Sequence, residues 1–155
     1  MLLDRVIETS HQVAATPSRL AKIEALARTL AEAVIGREVE VVADYLAGVL
    51  PQRRVGVNWR GLRSMPRPAA VPTLSVLETD EHLARLAAVA GQGSAATRSQ
   101  FVAELFGRAT ETEQRWLRGL VTGEVRQGAG DGVLLQAIAA AAGVSQEAVR
   151  RAVML

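Results

Sequence analysis

The residues best placed to do chemistry lie between Leu120 and Gly132. There the chain runs Leu120-Val121-Thr122-Gly123-Glu124-Val125-Arg126-Gln127-Gly128-Ala129-Gly130-Asp131-Gly132, a glycine-punctuated loop with one arginine. Glycines let backbone amides approach a ligand closely, and a helix from Val133 would turn its positive end toward an anion. Arg126 can add a bidentate hydrogen bond to phosphate. Asp131 argues against phosphate here unless its side chain caps Val133 and turns away. A weaker copy lies 75 positions earlier, from Tyr45 to Val57: Gly48 falls on Gly123, Leu50 on Val125 and Gln52 on Gln127, with Arg53, Arg54 and Gly56 close by. Two related loops suit two similar contacts to a repeating ligand, and nucleic-acid backbone is such a ligand.

Two helix starts repeat the theme. Gly93-Ser94 precedes Arg98 by one turn, and Thr16 to Ser18 is followed by Arg19 and Lys22. Catalytic chemistry is poorly supplied. His11 and His82 have no partner ligand at helical spacing, and His11 reads as an exposed polar residue. There is no cysteine for a disulfide or thiolate site. Gly91-Gln92-Gly93-Ser94 lacks the lysine of a phosphate-binding P-loop. Glu38 with Glu40, and Glu111 with Glu113, sit two apart on helical segments, point to different faces, and do not form an acid–base pair.

At 155 residues, 49% hydrophobic and 22% charged, the chain fits one domain with a proper core. No run nears the roughly 18 apolar residues of a membrane span, and Asp4, Arg5 and Glu8 break any signal-peptide pattern. The expectation is a cytoplasmic protein, near the nucleoid if it binds DNA. Net charge is only +2, and Lys22 is the sole lysine among 18 basic residues. Position matters more than the total. Residues 51–76 hold Arg53, Arg54, Arg60, Arg63 and Arg67 with no acid, while the flanking segments are nearly balanced. A concentrated positive patch is what polyanion binding requires.

The elements that must position these residues are helical. Aromatics are only 3%, and alanine and leucine dominate. Apolar spacing predicts helices over Leu2–Ala14, from Thr16-Pro17 through Leu30, over Val39–Val49 with Val49 buried, and over a short Asn58–Ser64 turn. The proline-rich stretch Met65–Val76 reads as a crossing segment. Further helices are expected over Asp80–Ala90 capped by Thr79, over Ala95–Arg108, after the Thr110/Glu113 capping box, over a central and very apolar Val133–Ala142, and from Ser145 through Val153. This predicts an all-α domain of eight or more helices with internal pseudo-twofold duplication: halves of about 1–66 and 78–155, and a crossing segment at 67–77. A second pattern, Ile138 to Arg151, looks like a helix-turn-helix, although Glu147 is awkward on a recognition helix. A transcription regulator and a helical protein–protein interaction module are therefore the alternative classes.

The order of motifs resembles the N-terminal DNA-binding domain of bacterial ATP-dependent DNA ligases. The run from Gly91-Gln92-Gly93-Ser94 to Glu104-Leu105-Phe106 carries the likeness, followed by Trp116-Leu117, Thr122 to Gly128, and Val133 to Ala137. Thr16 to Leu20 and Leu50 to Val57 fit the first half. The resemblance implies a domain gripping the minor groove of nicked duplex DNA through phosphates, during nick sealing in replication and repair. It places contacts on Ser18, Arg19, Lys22, Arg53, Arg54, Gly56, Gly93, Ser94, Arg98, Arg126, Gln127 and Gly128. It implies catalytic nucleotidyltransferase and OB-fold domains as partners in one longer chain, a monomer, and ATP and Mg as cofactors of the whole enzyme. The family's adenylated lysine stands in Lys-x-Asp-Gly, whereas here the only lysine stands in Lys22-Ile23-Glu24-Ala25. The expectation is therefore a non-catalytic module with no cofactor of its own.

Overall fold

The computed structural model describes residues 1–125, 130–143 and 151, and within these the chain is all-α. The helices are α1 (Leu3–Ala15), α2 (Arg19–Glu32), α3 (Arg37–Leu46), α4 (Val76–Ala87), α5 (Ser94–Arg108), α6 (Glu111–Thr122) and α7 (Asp131–Ala142). A single 3-10 turn, Trp59–Leu62, fills the stretch expected to be a short helix. Seven α-helices rather than eight or more are thus seen among the described residues. The helix expected from Ser145, and with it most of the helix-turn-helix pattern, lies outside them.

The duplication is written in the buried faces. On α1 the buried set includes Leu3, Val6, Ile7, Ser10 and Val13; a shift of 73 gives Val76, Thr79, Asp80, Leu83 and Leu86, the buried set of α4. On α2, Leu26, Thr29 and Leu30 map by 76 onto Val102, Leu105 and Phe106 of α5. On α3, Glu38, Val41, Val42 and Tyr45 map by 75 onto Glu113, Trp116, Leu117 and Leu120 of α6. The two sets of three helices interlock, since α1 packs on α6 as α4 packs on α3. Tyr45 and Trp116 meet edge to face with centroids 5.3 Å apart. The leads into α1 and α4 pair as one antiparallel bridge: Leu3 N donates to the Leu74 carbonyl, and Val76 N to the Met1 carbonyl, both at 2.9 Å. Two amides that helix starts leave unpaired are thereby satisfied.

The loop register read from sequence has a backbone cause. Gly48 (φ +72°) and Gly123 (φ +76°) end α3 and α6 in the left-handed region. Both close the same reverse turn, with Val49 N donating to the Asp44 carbonyl (2.8 Å) and Glu124 N to the Gly119 carbonyl (2.7 Å). This five-residue closure is the Schellman motif that glycine makes accessible.

Several helix ends differ from expectation. Ser18, not Thr16, caps α2, its Oγ accepting from Ala21 N at 3.2 Å. Leu20, in the first turn of α2, is exposed. Ser75 caps α4 in a full capping box with Glu78, so the helix starts four residues earlier than expected, and Thr79 is buried within it. The Ser75 amide holds the Glu78 carboxyl below its usual range. Val49 is exposed because Gly48 has already turned the chain. α7 is apolar but not central: it lies along α2, burying only Val133, Ala137 and Ala139. Its apolar count misled because alanines and leucines cover nearly its whole circumference and define no face.

The Thr110/Glu113 capping box forms as read, each residue bonding the other's backbone amide at 3.2 and 2.8 Å. Thr110→Ala is expected to cost about 1 kcal/mol. Thermal denaturation should register this as a drop in Tm of roughly 2–4 °C for a chain of this size.

Candidate nucleic-acid interface

A glycine from each half lies against the first turns of the other half's second helix. In the second half the loop ends at Gly132 on α7, where an added Cβ would meet Arg19 Nη2 of α2 at 3.5 Å. In the first half the loop following α3 reaches Gly56, where an added Cβ would meet Arg98 Nε of α5 at 2.9 Å. Gly56 and Gly132 are 76 residues apart, the interval that maps α2 onto α5. Helix N-termini carry partial positive charge and unpaired amides. The fold therefore sets each of these two helix ends beside a glycine of the opposite half.

At the first of these ends Ser18 and Arg19 are exposed and Lys22 is half-buried. At the second, Gly93 takes φ +78° as the residue before α5, Ser94 is half-buried in the first turn, and Arg98 follows one turn on. Arg98 Nη2 donates to the Val89 carbonyl at 3.2 Å, and its Nε is buried. That guanidinium is turned into the protein. Asp131 is exposed at the start of α7, and no hydrogen bond from its side chain caps that helix. The negative charge at the loop's end thus stays beside Arg19's end of the structure, and the first-half loop is the more favourable to an anion.

In that first-half loop, Arg53 N donates to the Leu50 carbonyl (2.9 Å) and Arg54 N to the Gln52 carbonyl (2.7 Å). The second bond forces a tight turn centred on Arg53, which sits at φ +63°. Among the described residues it is the only non-glycine at positive φ. Such a conformation costs an L-residue about 1 kcal/mol or more. Both side chains are exposed. The loop is tied down from below by Asp80 on α4, a carboxylate buried in the position that Ile7 holds on α1. Gln52 Nε2 donates to Asp80 Oδ1 at 2.7 Å, and Arg37 donates from Nε and Nη2 to the same carboxylate at 3.1 and 3.2 Å.

Eleven of the seventeen arginines sort into two groups. Arg5 with Glu32, Arg37 with Asp80, Arg85 with Glu104, Arg108 with Glu78 and Arg115 with Glu111 are salt-bridged on the scaffold. Hydrogen bonding to Arg5 holds the Glu32 carboxyl below its usual range, and Asp80 raises the Arg37 guanidinium in the same way. By contrast, Arg19, Arg53, Arg54, Arg60, Arg63 and Arg67 are exposed, and among the described residues none meets a carboxylate. Free guanidinium groups concentrate in the loop after α3 and at the start of α2.

Of the residues singled out by sequence, Ser18, Arg19 and Lys22 stand at one helix end. Gly93, Ser94 and Arg98 stand at the other, with Arg53, Arg54 and Gly56 in the loop packed beside it. Arg126, Gln127 and Gly128 lie outside the described residues. Sequence reasoning passed over Asp80 and the anchoring role of Gln52. The signal was available in the duplication, since a carboxylate replaces Ile7 on an otherwise matching buried face. Among the described residues no cluster of three or more His, Asp or Glu side chains could hold a metal ion, and no helix is long and apolar enough to cross a membrane.

Residues 60–139, just over half of the chain, match the family described as DNA ligase N terminus. The chain is 54% identical over 159 aligned positions to a probable DNA ligase of Nocardioides sp., all of this chain aligning with 31% of that protein. It is 53% identical to one of Beutenbergia cavernae, over 99% of this chain and 30% of the relative. It is 46% identical to one of Mycobacterium bovis, over the whole chain and 31% of the relative. The chain thus spans a little under a third of the length of these relatives.

Proposed function

The chain belongs to the DNA ligase N-terminus family, and from that membership we propose that it is the non-catalytic DNA-binding domain of an ATP-dependent DNA ligase. In this reading residues 1–155 act as one unit of two halves, about 1–66 and 78–155, joined by a crossing segment at 67–77. The unit holds the phosphate backbone across the minor groove of nicked duplex DNA, one loop-and-helix-end pair to each side of the break. Ser18, Arg19, Lys22, Arg53, Arg54, Gly56, Gly93 and Ser94 supply contacts, joined by Arg126, Gln127 and Gly128. Nucleotidyltransferase and OB-fold domains elsewhere in a longer, monomeric, cytoplasmic protein carry the ATP and Mg chemistry.

The observation that carries this reading is the sorting of the arginines. A scaffold that neutralises its structural guanidinium groups while leaving a cluster of exposed ones unpaired is arranged for an external polyanion. Phosphate contacts of this kind position a protein without reading base sequence. The test is fluorescence anisotropy with a nicked duplex across a salt series. If Arg19, Arg53 and Arg54 each neutralise one phosphate, log K should fall against log salt with a slope of about −2.7 or steeper. Affinity should be the same for unrelated sequences. Absence of binding at low salt would overturn the proposal and favour a docking module for an acidic protein, while a preference for one base sequence would favour a regulator.

A further inference from the structure

We infer that Arg98 is a positioning residue rather than a phosphate contact: its guanidinium is the support on which Gly56 rests, and it sets the placement of the Arg53–Arg54 turn over the start of α5. The inference rests on the DNA-binding reading above and assigns a part within it.

Three observations converge on this role. Gly56 is in the left-handed region at φ +72°, and a Cβ there would lie 2.9, 3.4 and 3.5 Å from Arg98 Nε, Cζ and Cδ. The loop backbone therefore lies directly on the guanidinium, and a side chain at position 56 would have both to displace Arg98 and to hold a left-handed backbone. On its other side Nη2 donates to the Val89 carbonyl, tying the support to the segment that links α4 to α5. Nε is buried. Arginine holds phosphate best through two parallel N–H bonds. Each of the two edges able to make such a pair includes one of these inward-facing nitrogens. The related contact in the other half differs. There Arg19 is exposed and only approaches Gly132, at 3.5 Å from an added Cβ. By the 76-residue interval Arg98 answers to Lys22, and Arg19 falls on Ala95. Arg19, at the very start of α2, remains available to a ligand, while Arg98, one turn into α5, is part of the loop's foundation.

The experiment is a double-mutant cycle on the 155-residue chain, read by anisotropy with nicked duplex over a salt series, with far-UV circular dichroism to verify the fold. Arg98→Ala and Arg98→Lys should each weaken binding by about tenfold, the order expected when charged hydrogen bonds are misplaced. In a background already carrying Arg53→Ala and Arg54→Ala, neither should change affinity by more than about twofold, because coupled residues are non-additive. Gly56→Ala leaves every cation in place and should reproduce the loss in the parent yet change little in the Arg53→Ala/Arg54→Ala background, where a direct contact of Gly56 with DNA would still show. It also decides the matter if the Arg98 variants fail to fold. Retained binding in Arg98→Lys would overturn the inference. So would an equal loss in both backgrounds, with the salt slope reduced by roughly 0.9, the signature of a direct phosphate contact. If removing Arg53 and Arg54 leaves affinity unchanged, this loop does not meet DNA and the inference falls with it, whereas the DNA-binding reading itself falls only if the parent chain fails to bind at low salt.

Discussion

Changing Arg53 and Arg54 together to alanine should lower affinity for nicked duplex about 10- to 100-fold at moderate salt, since a charge-assisted hydrogen bond contributes roughly 1.5–3 kcal/mol before screening. The salt slope should shrink by about 1.8, two phosphates at roughly 0.9 each. The loss should be uniform across DNA sequences, because neither side chain is placed to read bases in this account. The pair has this leverage because both guanidinium groups are exposed, unpaired and held at adjacent positions on one tight turn. Arg53 also occupies its left-handed backbone conformation at a cost to folding. Arg53→Gly should therefore leave thermal stability unchanged or raise it by up to about 1 kcal/mol while weakening DNA binding. Equal affinity of parent and double variant across the salt series would show that this loop does not meet DNA.

The all-helical class and the repeat of the glycine-ended helices were legible before the structure. Helical periodicity needs only apolar spacing, and the matched glycines at Gly48 and Gly123 reported a real backbone event, the same reverse turn closed twice. What could not be read was which way a polar side chain turns once its helix is packed. Arg98, one turn into α5, donates to the Val89 carbonyl, whereas Arg19, at the first position of α2, faces solvent. The close approach of Gly56 to Arg98 is a tertiary distance with no local sequence signal. Helix starts were misplaced for a related reason. Thr16 and Thr79 are credible caps by type, but Ser18 and Ser75 have the geometry, and the antiparallel bridge beside Ser75 decides where α4 begins.

Asp80→Ala should be the most destabilising of the substitutions considered, and it should also weaken DNA binding without touching DNA. Asp80 is buried, and its carboxylate accepts two hydrogen bonds from Arg37 and one from Gln52. Removing one partner of a buried pair costs about 3–5 kcal/mol when the other charge is stranded. Here the Arg37 side chain is half exposed and recovers water, so the expected cost is lower, roughly 2–3 kcal/mol, or about 5–10 °C in Tm. Gln52 then loses the acceptor that fixes the base of the Arg53–Arg54 turn, and the loop must be ordered on binding, at a cost of about 1–2 kcal/mol per residue fixed. Asp80→Asn keeps a carbonyl for Gln52 but removes the charge facing Arg37, so it should lose stability while retaining more of the affinity. Denaturation and anisotropy on the two variants separate the two roles. If both variants lose affinity in proportion to stability, Asp80 is only a core anchor. If asparagine preserves binding where alanine does not, the buried carboxylate that replaces Ile7 in the second copy is what converts a plain structural repeat into a held basic loop.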